Sequence, residues 1–137
     1  MIGIRSGSYW YTIGSADFLH AFFSTIAYNL EDNNWGLEYP YLMNDLYMGE
    51  LKKENVSNAL KELKEIKEKL KKLPAKKVVW DIEDLEKQPP WGDNISSDIT
   101  DLSNYFVTSD GKDLIYIMQC ALERADRLKE DVKITSL

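Results

Sequence analysis

The sequence predicts an α+β domain in which a small β-sheet of about three to four strands packs with about four helices. Three observations carry this. Apolar residues recur at spacings of three and four from Phe18 to Leu30, Val56 to Leu73 and Leu114 to Leu128, the period of a helix with one buried face. Ile2 to about Tyr11 and Val132 to Thr135, near the two ends, are instead rich in β-branched and aromatic residues. Pro and Gly fall where elements should stop. With 137 residues, 44% hydrophobic and 29% charged, the chain reads as one domain over residues 1–137, long enough to bury an ordinary core without disulfides or a structural metal.

Ile2 to about Tyr11 reads as a first strand, interrupted by Gly and Ser. Ser15 suits a helix N-cap, and Asp17 in the first turn favours the helix dipole. Phe18, Leu19, Phe22, Phe23, Ile26, Ala27 and Leu30 then form a wide apolar stripe, so this is a core helix, ending at the turn-forming Asp32-Asn33-Asn34. Pro40 opens a shorter helix through about Met48, and Gly49 stops it. A third helix runs from about Asn55 to Leu73, with Val56, Ala59, Leu60, Leu63, Ile66, Leu70 and Leu73 on one face, and Pro74 closes it. Its other face offers the pairs Glu65/Lys69 and Glu68/Lys72, each worth roughly 0.2–0.5 kcal/mol. Val78-Val79-Trp80 reads as a short strand, Pro89-Pro90 forbids helix beyond it, and Asn104 to Thr108 reads as extended. Ser109-Asp110-Gly111 starts a last helix through about Lys129, with Leu114, Ile117, Met118, Ala121, Leu122, Ala125 and Leu128 inward. Val132 to Thr135 is the final strand.

The net charge of −6 conceals a segregation. Residues 51–77 carry ten Lys against four Glu, whereas residues 1–50 carry one Arg against six acids and residues 78–137 six basic residues against thirteen acids. The acidic balance argues against a sequence-independent nucleic-acid binder, whose affinity rests on Lys and Arg neutralising phosphates. The basic block reads as mostly the solvated side of the third helix, in preference to a nucleic-acid or membrane surface. No apolar run approaches the roughly 18–20 residues of a membrane span, and the N-terminus lacks a signal-peptide pattern, so a cytoplasmic protein is expected. Cys120 is the only cysteine, which excludes an internal disulfide and a cysteine-based zinc cluster within one chain.

Catalytic chemistry finds few candidates. His20, the one histidine, lies beside the apolar face of the first helix and Cys120 inside the last; each reads as a packing or locally bonded residue, because nucleophilic catalysis needs a partner the sequence does not advertise. No glycine loop precedes a helix to cradle phosphate and no His pair has ligand spacing, so no cofactor is expected.

The carboxylates stand out. From Asp81 to Asp113 there are nine against two lysines, and Gln88 to Gly111 holds no Lys or Arg while including Trp91, Tyr105 and Phe106. Asp93, Asp98 and Asp101 offer oxygen ligands for Mg²⁺ or Ca²⁺, and with them a metal-assisted hydrolase, but the spacing matches no EF-hand and Asp beside Ser or Asn is common in turns. Asp81, Glu83, Asp84 and Glu86 form a second acidic run directly after Trp80. A solvated face and an interaction surface are both open for it. Trp35, Trp80 and Trp91, with Tyr9, Trp10 and Tyr11, are more large rings outside the helical stripes than a small core needs and tilt the balance towards interaction, since an acidic rim around aromatic anchors suits a protein that plugs a basic cleft. A third reading, an adaptor presenting the Asn55 to Leu73 helix, turns on whether Val56, Leu60, Leu63 and Ile66 are buried.

The blocks Gly14 to Ile26, Trp35-Gly36 with Tyr39-Pro40-Tyr41-Leu42-Met43, Pro90-Trp91-Gly92 and Leu102 to Gly111 resemble, in order and over nearly the whole chain, the bacterial polymorphic-toxin immunity proteins of the Immunity protein 70 family. The resemblance implies a small intracellular protein, made beside a secreted or contact-delivered toxin, that protects its producer by binding the toxin's active domain. It implies no catalysis. The acidic charge fits a nuclease toxin, whose cleft must be basic to hold phosphates. The expected partner is therefore a cognate toxin protein, with no nucleic acid and no membrane. The residues expected to meet it are Trp80, Asp81, Glu83, Asp84, Glu86, Trp91, Asp93, Asp98 and Asp101.

Overall fold

Ile2–Ser6 (β1) and Tyr9–Gly14 (β2) form an antiparallel hairpin where the sequence suggested one strand. Gly7, at φ 60°, makes the reversal that looked like an interruption. The computed structural model describes residues 1–136. Val132–Ser136 (β4) pairs with the other side of β1, and the two-residue Glu50–Leu51 (β3) joins β4, so the antiparallel sheet has the order β2-β1-β4-β3. The α+β expectation holds.

One face of this sheet carries a cross-strand row of Trp10, Arg5, Lys133 and Glu50. The Arg5 guanidinium sits 5.8 Å from the Trp10 ring centroid, and Lys133 Nζ lies 3.4 Å from Glu50. The indole crosses Gly3 so closely that a Cβ there would lie 2.4 Å from the ring and 2.6 Å from the Tyr11 carbonyl oxygen. Only glycine permits that approach.

The helices gather on the other face. Ala16–Leu30 (α1) starts as expected, with Ser15 Oγ accepting from the Phe18 amide at 3.1 Å, and it ends where Asp32 and Asn33 take left-handed conformations. Its burial exceeds one stripe, because Ala21, Ser24 and Thr25 are buried along with the expected apolar residues. The short helix expected from Pro40 is a π-helical turn, Tyr41–Leu46, and Gly49 at φ 120° lies beyond it. Val56–Leu70 (α2) follows a 3₁₀ turn, Lys53–Asn55. Its Val56, Leu63 and Ile66 are fully buried and Leu60 packs partly buried against the core. That makes α2 scaffold, which removes the adaptor reading. On its outer face Lys69 lies 3.9 Å from Glu65, whereas Glu68 pairs at 3.2 Å with Lys71 instead of Lys72.

Leu114–Leu128 (α3) packs between the sheet and α2. It is capped by Asp113, which accepts from the Tyr116 amide at 3.3 Å; Ser109, Asp110 and Gly111 form a separate tight turn, closed by Gly111 N–H to Thr108 O at 2.9 Å. Of the extended segment expected from Asn104 to Thr108, the structure keeps a single bridge between Val107 and Asp113. Leu128 lies past the core and is exposed, while Ile115 is buried. No helix among the described residues is long and apolar enough to cross a membrane.

Replacing Gly3 by alanine should lower the unfolding free energy by about 1–3 kcal/mol, since either the indole or the strand must move. Urea denaturation checks this, with the exposed Lys61→Ala expected within about 0.5 kcal/mol of the parent.

Candidate functional site

Between α2 and α3 the chain runs through residues 71–113 with a single 3₁₀ turn, Ala75–Lys77, as its regular helix. Backbone groups there must find partners outside ladders and helices, and side chains of α1 supply them. Thr25 Oγ1 accepts from the Val79 amide at 3.0 Å and shares its own proton between the carbonyls of Ala21 (2.8 Å) and Val79 (3.1 Å). Asn29 Nδ2 donates to Lys77 O at 2.9 Å, and Ser24 Oγ accepts from the Ile82 amide at 3.2 Å. These bonds explain why Val78-Val79-Trp80 is not a strand: it lies along a helix flank whose side chains take its main-chain groups.

His20 continues this seam. Its Nδ1 is 2.7 Å from the Tyr47 hydroxyl and its Nε2 is 3.3 Å from Asp81 Oδ1, while the ring stacks on Trp35. Both its ring nitrogens are thus engaged within the protein. Its bonds are long-range ties, joining α1 to the turn after Leu46 and to the start of the acidic run. At Asp81 the Glu83 amide, 2.9 Å from Oδ1, holds the carboxyl below its ordinary value, and His20 and Lys87 (3.4 Å from Oδ2) add to this.

Rings fix the rest of the segment. Trp80 meets Trp91 edge to face at 5.4 Å between centroids, and Trp91 Nε1 donates to the Tyr105 hydroxyl at 2.8 Å. Tyr105 packs on Phe106 at 5.0 Å, and Phe106 on Phe22 of α1 at 5.2 Å. Phe22 touches Phe23, and Phe23 lies 4.9 Å from Tyr47, which closes the circuit through His20 to Asp81. Trp80 is therefore half-buried packing, whereas Trp91 keeps 38% of its surface exposed. Burial pushes the Tyr105 hydroxyl above its ordinary value, and the nearby Asp93 charge acts in the same direction.

The nine carboxylates now divide. Asp81 is tied as described. Burial pushes Asp101 upward, but the Ser103 hydroxyl and amide and the Thr100 hydroxyl outweigh it and hold the carboxyl below its ordinary value, helped by the charge of Lys71 on the adjoining end of α2. Asp110 bonds the Thr108 hydroxyl and Asp113 caps α3. Asp84 turns one oxygen to the Glu86 amide at 3.2 Å. Glu83, Asp84, Glu86, Asp93 and Asp98 remain exposed, and among the described residues none of the five forms an ion pair. The proposed metal triad of Asp93, Asp98 and Asp101 is not assembled, since among the described residues no three of His, Cys, Asp and Glu stand together as a cation site.

Two further anchors escaped the sequence reading. Glu31, buried at the end of α1, accepts from the amides of Gly36 (3.0 Å), Glu38 (2.9 Å) and Tyr39 (3.0 Å). Glu62 of α2 accepts from Tyr41 and Leu42 at the mouth of the π-helical turn, at 3.2 and 2.8 Å, and burial raises its carboxyl. Their only signal in the sequence is an acid near a run of turn residues or on an otherwise lysine-rich helix face.

The block Gly14 to Ile26 runs from the end of β2 into α1, and Pro90-Trp91-Gly92 and Leu102 to Gly111 lie on the segment that α1 holds. The model of the Immunity protein 70 family matches residues 4–134. The chain belongs to that family. The comparisons with curated proteins and with solved structures return no match. Membership in Immunity protein 70 supplies an immunity function in general and implies a cognate toxin as partner.

Thr25→Val, which removes the hydroxyl at nearly constant shape, should cost about 1–3 kcal/mol because the Val79 amide loses its acceptor. Faster hydrogen exchange at Val79, with α1 amides still protected, is the expected readout. Because Asp81 is held below its ordinary value in the fold, its carboxylate contributes stability above the unfolded value of about 3.9, and that contribution disappears as the pH falls through the folded value. Urea titrations from pH 6 downward should therefore show a shallower acid limb for Asp81→Asn than for the parent below about pH 4.

Proposed function

We propose that this Immunity protein 70 member neutralises a cognate bacterial toxin domain by direct one-to-one binding, presenting Glu83, Asp84, Glu86, Asp93 and Asp98 around Trp91 to a basic surface of the toxin. The observation that carries this reading is the division of the carboxylates: five exposed acids form no ion pair among the described residues and stand on a segment tied to the core at both flanks. Such a preformed, unpaired acidic surface accelerates encounter with a positive cleft and costs little ordering on binding. A nuclease, which must hold phosphates, is the toxin class whose cleft this charge fits best. The protein then acts as a stoichiometric blocker in the cytoplasm of the producing cell, with Asp81 and Asp101 shaping the surface and Trp80 backing Trp91 from beneath.

The toxin domain encoded beside this gene is the binding partner to use. Association measured by biolayer interferometry should be fast at low salt and fall steeply as ionic strength rises. Reversing Glu83, Glu86, Asp93 and Asp98 to Lys together should slow association at least about tenfold and flatten the salt dependence. An unchanged association rate would move the interface elsewhere on the protein. Absence of binding, with no rescue of toxin-expressing cells, would remove the reading altogether.

A further inference from the structure

Beside Trp91 lies an apolar groove of about 190 Å³, formed by Phe18 of α1 and by Trp91, Ile95, Ile99, Tyr105 and Val107 of the pegged segment. Its two polar lining residues, Asn94 and Ser96, are uncharged, and no Lys or Arg lines it. Its volume falls below the roughly 300–1,000 Å³ of sites that enclose a small-molecule ligand, and suits one large side chain. Trp91 and Val107 leave 38% and 46% of their surfaces open, so apolar area stays in contact with water in the free protein. Such area is unfavourable to expose, by about 25 cal/mol per Å², and its cover contributes to affinity.

The surroundings say what kind of cover. Asp93 lines the adjoining depression together with Ile95 and Tyr105, and its charge is felt at the Tyr105 hydroxyl. Asp98 precedes the lining residue Ile99, and Asp17 precedes Phe18 in the first turn of α1; all three carboxylates are exposed. Lys76 is the one cation in that adjoining depression and does not line the groove. An apolar slot with an acidic border favours an apolar group that arrives between cations, and disfavours a segment carrying its own acids.

Resting on the toxin-binding reading above, we propose that this groove receives a single large apolar side chain of the toxin, set among lysines or arginines that meet Asp93 and Asp98. The groove then controls how long the complex lasts, and the carboxylates control how fast it forms. A buried anchor in a pocket with a charged rim is the arrangement in which those two rates separate.

Val107→Glu tests this, because it spoils the apolar slot while adding to the negative field. With the toxin domain encoded beside this gene as the probe, the variant should bind at least tenfold more weakly, entirely through faster dissociation, with association undiminished. Asp93→Asn combined with Asp98→Asn should slow association several-fold and leave dissociation unchanged. The thermal midpoints of both variants should match the parent, and the Trp91 indole N–H resonance, assigned with Trp91→Phe, should shift when toxin is added to the parent protein. Unchanged affinity of Val107→Glu, with the parent still binding, would overturn the groove and leave the toxin-binding reading standing. Undiminished association of the double Asn variant would overturn the cationic flank. A parent protein that does not bind toxin at all would overturn both.

Discussion

The hydroxyl of Thr25 occupies both the N–H and the C=O of Val79, and the segment that forms the candidate binding surface depends on that contact. A stretch of chain with so little helix or strand has to settle its backbone hydrogen bonds some other way, or stay solvated and loose. Here a helix that would otherwise show an apolar face on one side and water on the other offers Ser24, Thr25 and Asn29 on the second side. α1 is buried nearly all round as a result. The ring circuit from Trp80 to Phe22 then carries the more distal part of the segment onto the same helix. Polar seam and aromatic circuit meet at His20 and Asp81, so one helix organises both ends of the surface.

Charge takes on a different meaning in three dimensions. Along the sequence, the lysine-rich block and the acidic stretch look independent, the first a solvated helix face and the second an uncompensated field. In the fold, the end of α2 returns to the stretch: Leu102 donates to Leu73 O at 3.0 Å, the charge of Lys71 adds to the Ser103 and Thr100 bonds that hold Asp101 below its ordinary value, and burial raises the Asp113 carboxyl against the opposing charge of Lys67. Lys87 answers Asp81 from within the run itself. Four of the nine carboxylates, Asp81, Asp101, Asp110 and Asp113, are internal structure. What is left for a partner on the proposed reading is a smaller set of acids, none of which forms an ion pair among the described residues, and unpaired charge is what steers association.

Much of the scaffold was legible because period and capping are local signals. Ser15, the stripe from Phe18 to Ala27 and the buried face of α2 follow from spacing alone. The failures share a cause. Gly7 looked like a blemish in a strand because a hairpin turn and a poor strand residue are written with the same letter. Val78 to Trp80 has strand-like composition, yet its hydrogen bonds go to helix side chains, a tertiary choice that no local propensity encodes. Of the candidate site, the residue types and their neighbourhood could be read, but not which carboxylates are spent. Asp101 and Asp98 sit in similar Ser- and Asn-rich surroundings, and only the fold turns the first inward to Ser103 and leaves the second outside.

The way the segment is fastened bears on how the surface can diversify. A strand is held at every residue, so each substitution is tested against a register; this segment is held at scattered points, by Val79, Ile82, Asp81, Trp91 and Tyr105. The positions between those pegs, such as Glu83, Glu86, Asp93 and Asp98, carry little of the folding energy. On the toxin-binding reading proposed above, those positions can change one at a time to follow a changing toxin while the scaffold beneath is left alone. If the proposed surface is the one the toxin meets, recognition and folding are carried there by different residues.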